Sequence, residues 1–381
     1  MNKKKMCVVT TIPLSLIFFK GQLRFLSRVF EVTAVSSEPE KLAEIGRQEG
    51  VAVHCIPMKR PISLWNDLKG LVLFICWFRR VRPDIVHGNT PKGAFLSMLA
   101  ARLVKVPVRI YMCHGLRYQG THGLLRRLLM FMERMTCRCA TQVLCVSFGV
   151  CDQLAKDGVC KKGKSKVVLN GSANGIDLSY YVREGEDREV WRKRLGIGNT
   201  DFIFSFVGRV VRDKGVNELV TAFNRLSGEI RGIHLVIVGP EESALDPISE
   251  VSKDIIQKND CIHTVGMQSD IRPYVMLSDA FVLPSYREGF GQVLMEAGAL
   301  GVPCITTDIT GCNEIIQEGI NGKIIPPRDE QALYEAMKWF YVHRDDEVKK
   351  MAKNARPMIA ERYEQHIVWE ALLKEYRELL K

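Results

Sequence analysis

The chain has 381 residues, of which 46% are hydrophobic and 25% are charged, and its formal net charge is +11. This length is too great for one core of ordinary size, and the composition excludes a disordered or fibrous protein, so we expect two globular domains. The basic residues come without a zinc-knuckle, RNP-like or basic-zipper pattern, which argues against a nucleic-acid partner.

The first half of the chain alternates short apolar strands with longer helical patterns. Helices are predicted at 63–82, 91–105 and 123–138. Strands are predicted at 6–12, 30–37, 51–58, 84–89, 108–115 and 142–147. Near-continuous apolar strands separated by helices are typical of a parallel sheet that is buried on both faces. We therefore predict a doubly wound, Rossmann-like domain over residues 1–170.

Two histidines stand at the ends of predicted strands in this half. His87 lies in "DIVHGNTPKG" and His114 lies in "VRIYMCHGLRYQG". Ligands of open α/β sheets bind beyond the carboxyl ends of the strands, so both positions suit a binding site. A single histidine is more often structural, and the residues alone leave both roles open.

The predicted helix 123–138 is basic and amphipathic. Arg126, Arg127, Arg134 and Arg138 accompany an apolar stripe in "GLLRRLLMFMERMTCRCA". Such a helix either lies on an anionic membrane surface or packs on its own sheet. The charge around it favours the membrane, because residues 1–180 contain 28 Lys and Arg against 11 Asp and Glu, a balance of +17.

A polar segment rich in Gly, Asn and Asp follows, and we predict a linker over residues 171–190. The charge changes sign here, since residues 181–381 contain 26 basic and 32 acidic residues, a balance of −6. Strands are then predicted at 202–210, 234–240, 261–266, 280–285, 303–308 and 322–327. They predict a second Rossmann-like domain over 191–360, facing the first across a cleft. The last segment, 361–381, is predicted to be a helix that packs back toward the first domain.

The segment "VGRVVRDKG" brings Arg209 and Lys214 into the loop after a predicted strand. Two cations at the ligand edge of a sheet can neutralise a diphosphate, Arg through a fork of donors and Lys as a compact charge. A solvated loop without function is the alternative explanation of the same residues.

The segment "PSYREGFGQVLMEAGALGVP" places two carboxylates around a glycine-rich turn. If a helix begins at Gly291, Glu288 lies outside it and Glu296 lies inside it. The free amides at that helix start suit a phosphate, and the two carboxylates can accept hydrogen bonds from hydroxyls on either side of it. A nucleotide sugar has this layout of sugar, diphosphate and ribose.

These motifs resemble the carboxyl-terminal domain of the retaining glycosyltransferases of family four, which have the GT-B fold. The resemblance extends over nearly the whole chain, and its specific motifs lie in residues 166–330. It implies that Glu296 holds the ribose hydroxyls, that Glu288 holds the donor sugar, and that Arg209 and Lys214 contact the donor diphosphate. Members that extend undecaprenyl-diphosphate-linked sugars for capsule, O-antigen or protein glycans are the most similar.

The resemblance also implies a set of site residues. The predicted catalytic residues are His114, Arg209, Lys214 and Glu288. The predicted donor-binding residues are Gly208, Arg209, Lys214, Glu288, Gly289, Phe290, Gly291, Gln292, Val293 and Glu296. The predicted acceptor-binding residues are Ser15, His87 and Arg117. Many members carry a Gly-Gly pair after the first strand, whereas this chain has "TTIPLSLIFFKG", whose apolar residues suit a lipid-linked acceptor instead.

The predicted function is a metal-independent, retaining transfer of a sugar, of the N-acetylhexosamine type, from a UDP-sugar to a sugar on a lipid diphosphate. No Asp-x-Asp motif stands in a suitable loop, and we expect no cofactor or metal. The alternatives are a non-catalytic nucleotide-sugar sensor or scaffold subunit, or a UDP-sugar epimerase of the same fold. The epimerase needs acids in the first domain, where residues 51–150 offer only Asp67, Asp84 and Glu133.

The location is predicted from cysteine usage and hydropathy. The twelve cysteines are scattered without a C-x-x-C pattern, which favours reduced thiols in the cytoplasm over disulfides or a zinc site. The most apolar run, "LVLFICWF" at 71–78, is too short to span a membrane, and Pro13 interrupts the apolar amino-terminal stretch. We expect a cytoplasmic protein held peripherally on the inner face of the cytoplasmic membrane.

Overall fold

The computed structural model describes residues 3–182, 188–242 and 246–381. They form two compact units, the first made of the chain up to Gly175 together with Gln365–Lys381 and the second of Ile176–Glu364. The first boundary lies within the predicted linker 171–190, of which residues 183–187 lie outside the described residues. The second boundary lies within the predicted carboxyl-terminal segment 361–381.

The first unit is built on a parallel sheet. Its strands are β1 (Lys5–Val9), β2 (Glu31–Ser36), β3 (Ala52–Cys55), β4 (Ile85–Gly88), β5 (Val108–Cys113), β6 (Gln142–Cys145) and β7 (Ser165–Val167). Their order across the sheet is β3-β2-β1-β4-β5-β6-β7. The apolar strands were predicted within a few residues, but β7 was not, because it has only three residues, two of them polar, and is partly exposed at the sheet edge.

Helices cover this sheet and complete the unit. They are α1 (Gln22–Ser27), α2 (Pro39–Glu49), α3 (Leu64–Val81), α4 (Pro91–Leu103), α5 (Gly123–Cys139), α6 (Phe148–Lys156) and the C-terminal helix (Gln365–Leu379). The C-terminal helix is attached to the rest of the unit by polar contacts. Trp369 Nε1 donates to Asn174 Oδ1 at 2.7 Å, and Glu375 forms an ion pair of 2.5 Å with Lys166.

The second unit repeats this architecture. Its strands are β8 (Phe202–Val207), β9 (Ile233–Val238), β10 (Ile262–Gly266), β11 (Ala280–Leu283), β12 (Cys304–Thr307) and β13 (Gly322–Ile325), in the order β10-β9-β8-β11-β12-β13. Its helices are α7 (Arg188–Arg194), α8 (Val216–Glu229), α9 (Glu250–Lys258), α10 (Arg272–Met276), α11 (Gln292–Ala299), α12 (Glu330–Val342) and α13 (Glu347–Tyr363). Every residue of β8 and β11 is buried, as expected of strands covered on both faces.

Both units are therefore doubly wound Rossmann-like domains, as the strand and helix pattern predicts. Each sheet has one place where the strand order reverses, between β1 and β4 in the first domain and between β8 and β11 in the second. In open α/β sheets the ligand binds outside the carboxyl ends of the strands at this switch point. The loops after these strands carry most of the predicted site residues.

Candidate active site

In the second domain, the loops after β8 and β11 meet at the switch point. Lys214, in the loop after β8, forms an ion pair with Oε1 of Glu288, in the loop after β11. The same carboxylate oxygen accepts a hydrogen bond of 2.9 Å from Ser285 Oγ. Both charged side chains are largely buried, with 20% and 14% of their surface exposed. The predicted cation and carboxylate are thus brought into direct contact across 74 residues of sequence.

A glycine allows these two loops to approach each other. Gly215 follows Lys214 and has a φ of +70°, in the left-handed region that glycine favours. A Cβ atom at this position would lie 2.0 Å from the carbonyl oxygen of Pro284. A larger residue would push the loop after β8 away from Pro284 and therefore move Lys214 away from Glu288.

Arg209 lies in the same loop but has a different partner. Its Nη1 contacts Oε2 of Glu242 at 2.7 Å, and both side chains are well exposed. Arg209 directly follows Gly208, whose amide donates to the carbonyl of Val238 at the end of the adjacent β9. Glu242 was not predicted, because nothing in its local sequence distinguishes it from a solvated acid in a loop.

Helix α11 begins directly after Gly291, which confirms the predicted helix start. No side chain caps its amino terminus, and the amides of Gln292 and Leu294 donate to the carbonyls of Phe290 and Gly291 at 2.8 and 2.9 Å. Gly291 donates its own amide to the carbonyl of Gly311 at 3.1 Å, which fixes the turn against the loop after β12. Among the other predicted donor residues, Gln292 is exposed, whereas Gly289, Phe290 and Val293 are half-buried.

Glu296 lies within α11, half-buried, and Glu288 lies outside the helix, as predicted. Burial raises the pKa of Glu296 to about 7, although hydrogen bonds from Gln292 and Tyr181 act in the opposite direction. The Gln292 amide nitrogen lies 3.4 Å from Oε1 of Glu296. Tyr181 was not predicted as a site residue, since it precedes α11 by more than a hundred residues and no motif marks it.

In the first domain, His114 follows β5 at the carboxyl edge of the sheet. Its ring stacks on Phe18 with 4.8 Å between ring centroids, and its Nε2 lies 3.0 Å from Oδ1 of Asn89. The side chain is half-buried. Burial lowers the pKa of His114 to about 4, so the ring is neutral at physiological pH. Asn89 follows β4, which places it at the switch point.

His87 requires a correction. The prediction of a direct acceptor contact does not fit its position, because the side chain lies inside β4 and is 0% exposed. Its Nδ1 lies 2.9 Å from Nδ2 of Asn89, and its Nε2 lies 3.2 Å from the hydroxyl of Tyr376. Burial, with a smaller contribution from His114, lowers the pKa of His87 to about 3. His87 instead lies behind Asn89, away from the surface.

The segment after β1 lacks the Gly-Gly pair of many family members, and the sequence did not predict its conformation. Residues Pro13–Phe19 form a 3-10 helix, in which Ser15 is half-buried. The next helix, α1, is closed to anionic ligands at its amino end, because Glu49 accepts hydrogen bonds from the amides of Gly21 and Arg24 at 2.8 and 3.3 Å. A carboxylate of the chain therefore occupies the position that a ligand phosphate would take.

The remaining predictions concern Arg117 and a metal. Arg117 is exposed at the start of the 3-10 helix Arg117–Gly120, and no contact in the described part of the chain joins it or Ser15 to His114. Within residues 3–182, 188–242 and 246–381, no three His, Cys, Asp or Glu side chains are placed to hold a metal ion. None of the described helices combines the length and the apolarity needed to cross a membrane.

Two family models match the chain and together cover both domains. The model described as Glycosyltransferase Family 4 matches residues 23–178, and the model described as Glycosyl transferases group 1 matches residues 187–358. The chain is 30% identical over 384 residues to the capsular polysaccharide biosynthesis glycosyltransferase CapM of Staphylococcus aureus. That alignment covers 100% of this chain and 99% of the relative.

A second relative and a solved structure extend these similarities. The UDP-Gal:alpha-D-GlcNAc-diphosphoundecaprenol alpha-1,3-galactosyltransferase of Escherichia coli is 27% identical, with 87% of this chain and 84% of the relative covered. The crystal structure of Anabaena HepE in complex with UDP superimposes with a TM-score of 0.82. It is 17% identical and covers 99% of this chain and 100% of that chain, which supports the same fold.

Proposed function

The chain belongs to the glycosyltransferases of family four, and from this premise we propose that it transfers a sugar from a UDP-sugar to a sugar carried on a lipid diphosphate. The proposed donor sugar is of the N-acetylhexosamine type, and the product belongs to surface polysaccharide or glycan assembly. The observation that carries the proposal is the meeting of Lys214, Glu288 and the uncapped start of α11 at the switch point of the second domain. The name of the Escherichia relative supports the acceptor class, and the name of the Staphylococcus relative supports surface polysaccharide assembly.

The second domain is the proposed donor site. Arg209, Lys214 and the first amides of α11 would bind the diphosphate and stabilise the negative charge that grows on it as the sugar leaves. Such preorganised electrostatic stabilisation is usually the largest single contribution to catalysis. Glu288 would bind hydroxyls of the donor sugar and Glu296 those of the ribose. Because two side-chain cations supply the positive charge, the proposed reaction needs no metal ion.

The proposed reaction retains the configuration of the transferred sugar. A covalent intermediate would need a carboxylate near His114, but the acids of residues 51–150 are engaged elsewhere. Asp67 forms an ion pair of 2.6 Å with Lys92, Asp84 precedes the amino end of β4, and Glu133 is buried against Tyr111. A displacement on one face of the sugar, with the leaving phosphate accepting the acceptor's proton, fits these positions. The same positions count against the epimerase alternative.

The first domain is the proposed acceptor site. A hollow of about 630 Å³ lies beyond the carboxyl ends of β2 and β3, lined by apolar side chains together with two cations and the carboxylate of Glu38, which forms an ion pair with Lys41. Pro57 and Met58 contribute to its apolar lining, and Lys59 and Arg60 supply the positive charge. Apolar surface beside two cations matches the chemistry of a lipid diphosphate.

Exposed apolar side chains on two helices of this domain support peripheral membrane association. On α5, Leu124, Leu125, Leu128 and Phe131 are between 44% and 81% exposed, beside Arg126 and Arg127. On α3, Leu64 and Trp65 are 82% and 84% exposed. Apolar side chains that insert at the head-group level, flanked by basic residues, are typical of helices that bind anionic membranes. We propose a cytoplasmic location on the inner face of the membrane.

Calorimetric titration of the purified protein with UDP, GDP and ADP tests the donor site. We expect selective binding of UDP, and we expect Glu296→Ala and Lys214→Met each to weaken it about tenfold or more, since each removes a hydrogen-bonding side chain from the proposed site. Lys323→Met, which removes a lysine of the same domain outside the site, should leave UDP affinity unchanged. Equal binding by the wild type and by both site variants would refute the donor-site assignment.

Release of UDP from UDP-N-acetylglucosamine, with and without an undecaprenyl-diphosphate-linked sugar, tests the reaction. Acceptor-dependent release that persists at an unchanged rate after treatment with EDTA is expected. The anomeric configuration of the product, read by NMR, should equal that of the donor. If UDP binds but no donor in a panel of UDP-sugars is consumed with such acceptors, the non-catalytic sensor or scaffold function is the better description.

A further inference from the structure

We infer that Asn89 is a positioning residue that holds His114 in a single tautomer, with Nε2 protonated and the lone pair of Nδ1 left for a ligand hydroxyl. Asn89 is itself held by His87 and, through it, by Tyr376 of the C-terminal helix. The inference rests on the proposed function and specifies how the first domain contacts a sugar, as a neutral hydrogen-bond acceptor. Each step follows from which atoms are able to donate.

The orientation of the Asn89 amide is fixed by the carbonyl group of His87. One terminal atom of the Asn89 side chain lies 3.1 Å from this carbonyl oxygen and 2.9 Å from His87 Nδ1. A carbonyl oxygen only accepts, so the atom facing it is the NH₂ group and the other terminal atom is Oδ1. Oδ1 lies 3.0 Å from His114 Nε2 and also only accepts. Nε2 of His114 therefore carries the proton.

The same reasoning extends to the C-terminal helix. Nδ1 of His87 accepts from Asn89, so the neutral ring of His87 carries its proton on Nε2 and donates it to the hydroxyl of Tyr376 at 3.2 Å. Asn89, His87 and Tyr376 are all 0% exposed, so water does not compete for these bonds. An alternative arrangement would leave a buried polar group without a partner, at a cost of about 1–3 kcal/mol.

The remaining polar atom of His114 is Nδ1, for which the described residues provide no hydrogen-bond partner. Phe18 covers one face of the ring. With its proton on Nε2, the neutral ring offers a lone pair at Nδ1, which suits the hydroxyl of a sugar. The neighbouring Thr90 has φ 60° and ψ 147°, a strained conformation for a residue other than glycine. Such strain tends to persist where a site requires a particular backbone path.

The charge state of His114 depends on the groups that surround it. Within the described residues, the titratable groups connected to it are His87 on β4 and, beyond His87, Tyr376 on the C-terminal helix, while the segment Pro13–Phe19 presents Phe18. Asn89→Asp would place a carboxylate against Nε2 in a side chain of the same shape. A carboxylate there favours the imidazolium, which has no lone pair on Nδ1.

Two-bond ¹H–¹⁵N correlation spectra of ¹⁵N-histidine-labelled protein test this inference without any substrate. The His114 signals are assigned by their loss in His114→Gln. We expect the Nε2–H tautomer of His114 in the wild type at pH 7, a mixture of both tautomers in Asn89→Ala, and a pKa raised by about 1–3 in Asn89→Asp. Tyr376→Phe should perturb the His87 signals first. Tyr334→Phe, which removes another buried tyrosine hydroxyl, should leave both rings unchanged.

An Nδ1–H tautomer in the wild type, or His114 signals in both Asn89 variants that match the wild type, would overturn the inference. A second readout is the pH dependence of UDP release with the donor and acceptor that the reaction assay identifies. Asn89→Asp should move the acidic limb of kcat to higher pH and recover at alkaline pH, whereas mere loss of structure lowers kcat at every pH. If no UDP-sugar is consumed, the proposed function fails and the spectra still decide the role of Asn89.

Discussion

The two carboxylates of the donor site differ in what surrounds them. Glu288 contacts a cation, Lys214, and a hydroxyl, Ser285. Among the described residues, Glu296 accepts hydrogen bonds from the neutral donors Gln292 and Tyr181, in an environment whose burial disfavours charge. A nucleotide bound here would supply hydroxyl donors to Glu296 and phosphate oxygens to Lys214. The ligand would thus satisfy each group in a different way.

The raised pKa of Glu296 predicts how stability depends on pH in the absence of nucleotide. The pKa is about 7 in the folded chain and 4.5 in an unperturbed glutamate, so between these values the folded state binds more protons than the unfolded state. The stabilisation is complete below pH 4.5 and is lost as the pH rises through 7. We therefore expect the melting temperature of Glu296→Gln, relative to the wild type, to increase by a few degrees between pH 4.5 and 8.

Glu133→Gln is the matched control for this measurement. Burial also raises the pKa of Glu133 to about 7, and this residue lies in the first domain, away from the donor site. Both variants should gain relative melting temperature with rising pH, but only Glu296→Gln should alter the affinity for UDP. A melting-temperature difference for Glu296→Gln that does not change with pH would show that the carboxyl group is ionised throughout the range.

At the level of single residues, the sequence predicts those site residues whose neighbours in the chain form a recognisable motif. Lys214, Glu288 and Glu296 lie in loops and helix starts with glycine punctuation, so their local sequence points to a ligand. Glu242 and Tyr181 carry no such mark. They become part of the site because a salt bridge and a hydrogen bond connect them to Arg209 and Glu296 in the folded domain.

Among the secondary-structure elements, the loop after β8 is the one whose conformation the site depends on most directly. Gly215 and Gly196 both adopt the left-handed conformation, with φ of +70° and +69°. A Cβ atom would collide with Pro284 at Gly215 but would meet nothing within 4 Å at Gly196. Substitutions at Gly196 and Gly215 therefore distinguish the free energy lost through backbone strain from the additional free energy lost when the loop after β8 is displaced.

We expect Gly196→Ala to lower the free energy of unfolding by about 1–2 kcal/mol through backbone strain alone, with UDP affinity unchanged. Gly215→Ala should cost more than this and should also weaken UDP binding about tenfold, because Lys214 moves with the loop. Chemical denaturation and calorimetric titration of both variants measure the two effects. Equal losses of stability and intact UDP binding in both would mean that the Pro284 contact does not position Lys214.

The elements themselves were largely predictable, because their signals are local. Apolar runs in β8 and β11 and the turn before α11 were read from a few consecutive residues. The strand β7 escaped this reasoning because an edge strand can be short and polar. His87 was misjudged for a related reason. Its place near the carboxyl end of a strand correctly predicts that His87 lies near the ligand edge of the sheet. The sequence does not show that Tyr376 of the C-terminal helix packs against this side chain and that the side chain is buried.

At the scale of the whole molecule, the uneven distribution of charge predicts that the first domain binds anionic membranes. The excess of 17 positive charges in residues 1–180 accompanies the exposed apolar side chains of α3 and α5 in that domain. We expect the protein to sediment with vesicles containing phosphatidylglycerol but not with pure phosphatidylcholine, and to be released as ionic strength rises from 0.05 to ~0.5 M, since salt screens surface charge.

A pair of double variants tests whether membrane binding depends on the exposed apolar side chains of α5 or on exposed apolar side chains anywhere in the protein. Leu124→Ser with Phe131→Ser removes two exposed side chains of α5 and should weaken vesicle binding about tenfold or more. Val251→Ser with Val342→Ser removes two exposed side chains of the acidic domain and should have no effect. Equal vesicle binding by both double variants would exclude α5 from the membrane surface.

The sequence by itself determined the two doubly wound domains, the helix start after Gly291, and which carboxylates and cations we propose for the donor site. These features depend on residues close together in the chain, whose periodicity and turn chemistry carry the information. Only the tertiary structure decided that Lys214 meets Glu288, that Glu49 closes α1, and that Asn89 contacts His114. The last arrangement joins His87 to Tyr376 across 289 positions, and hydrogen bonds over such separations exist only once the sheet and the C-terminal helix have packed together.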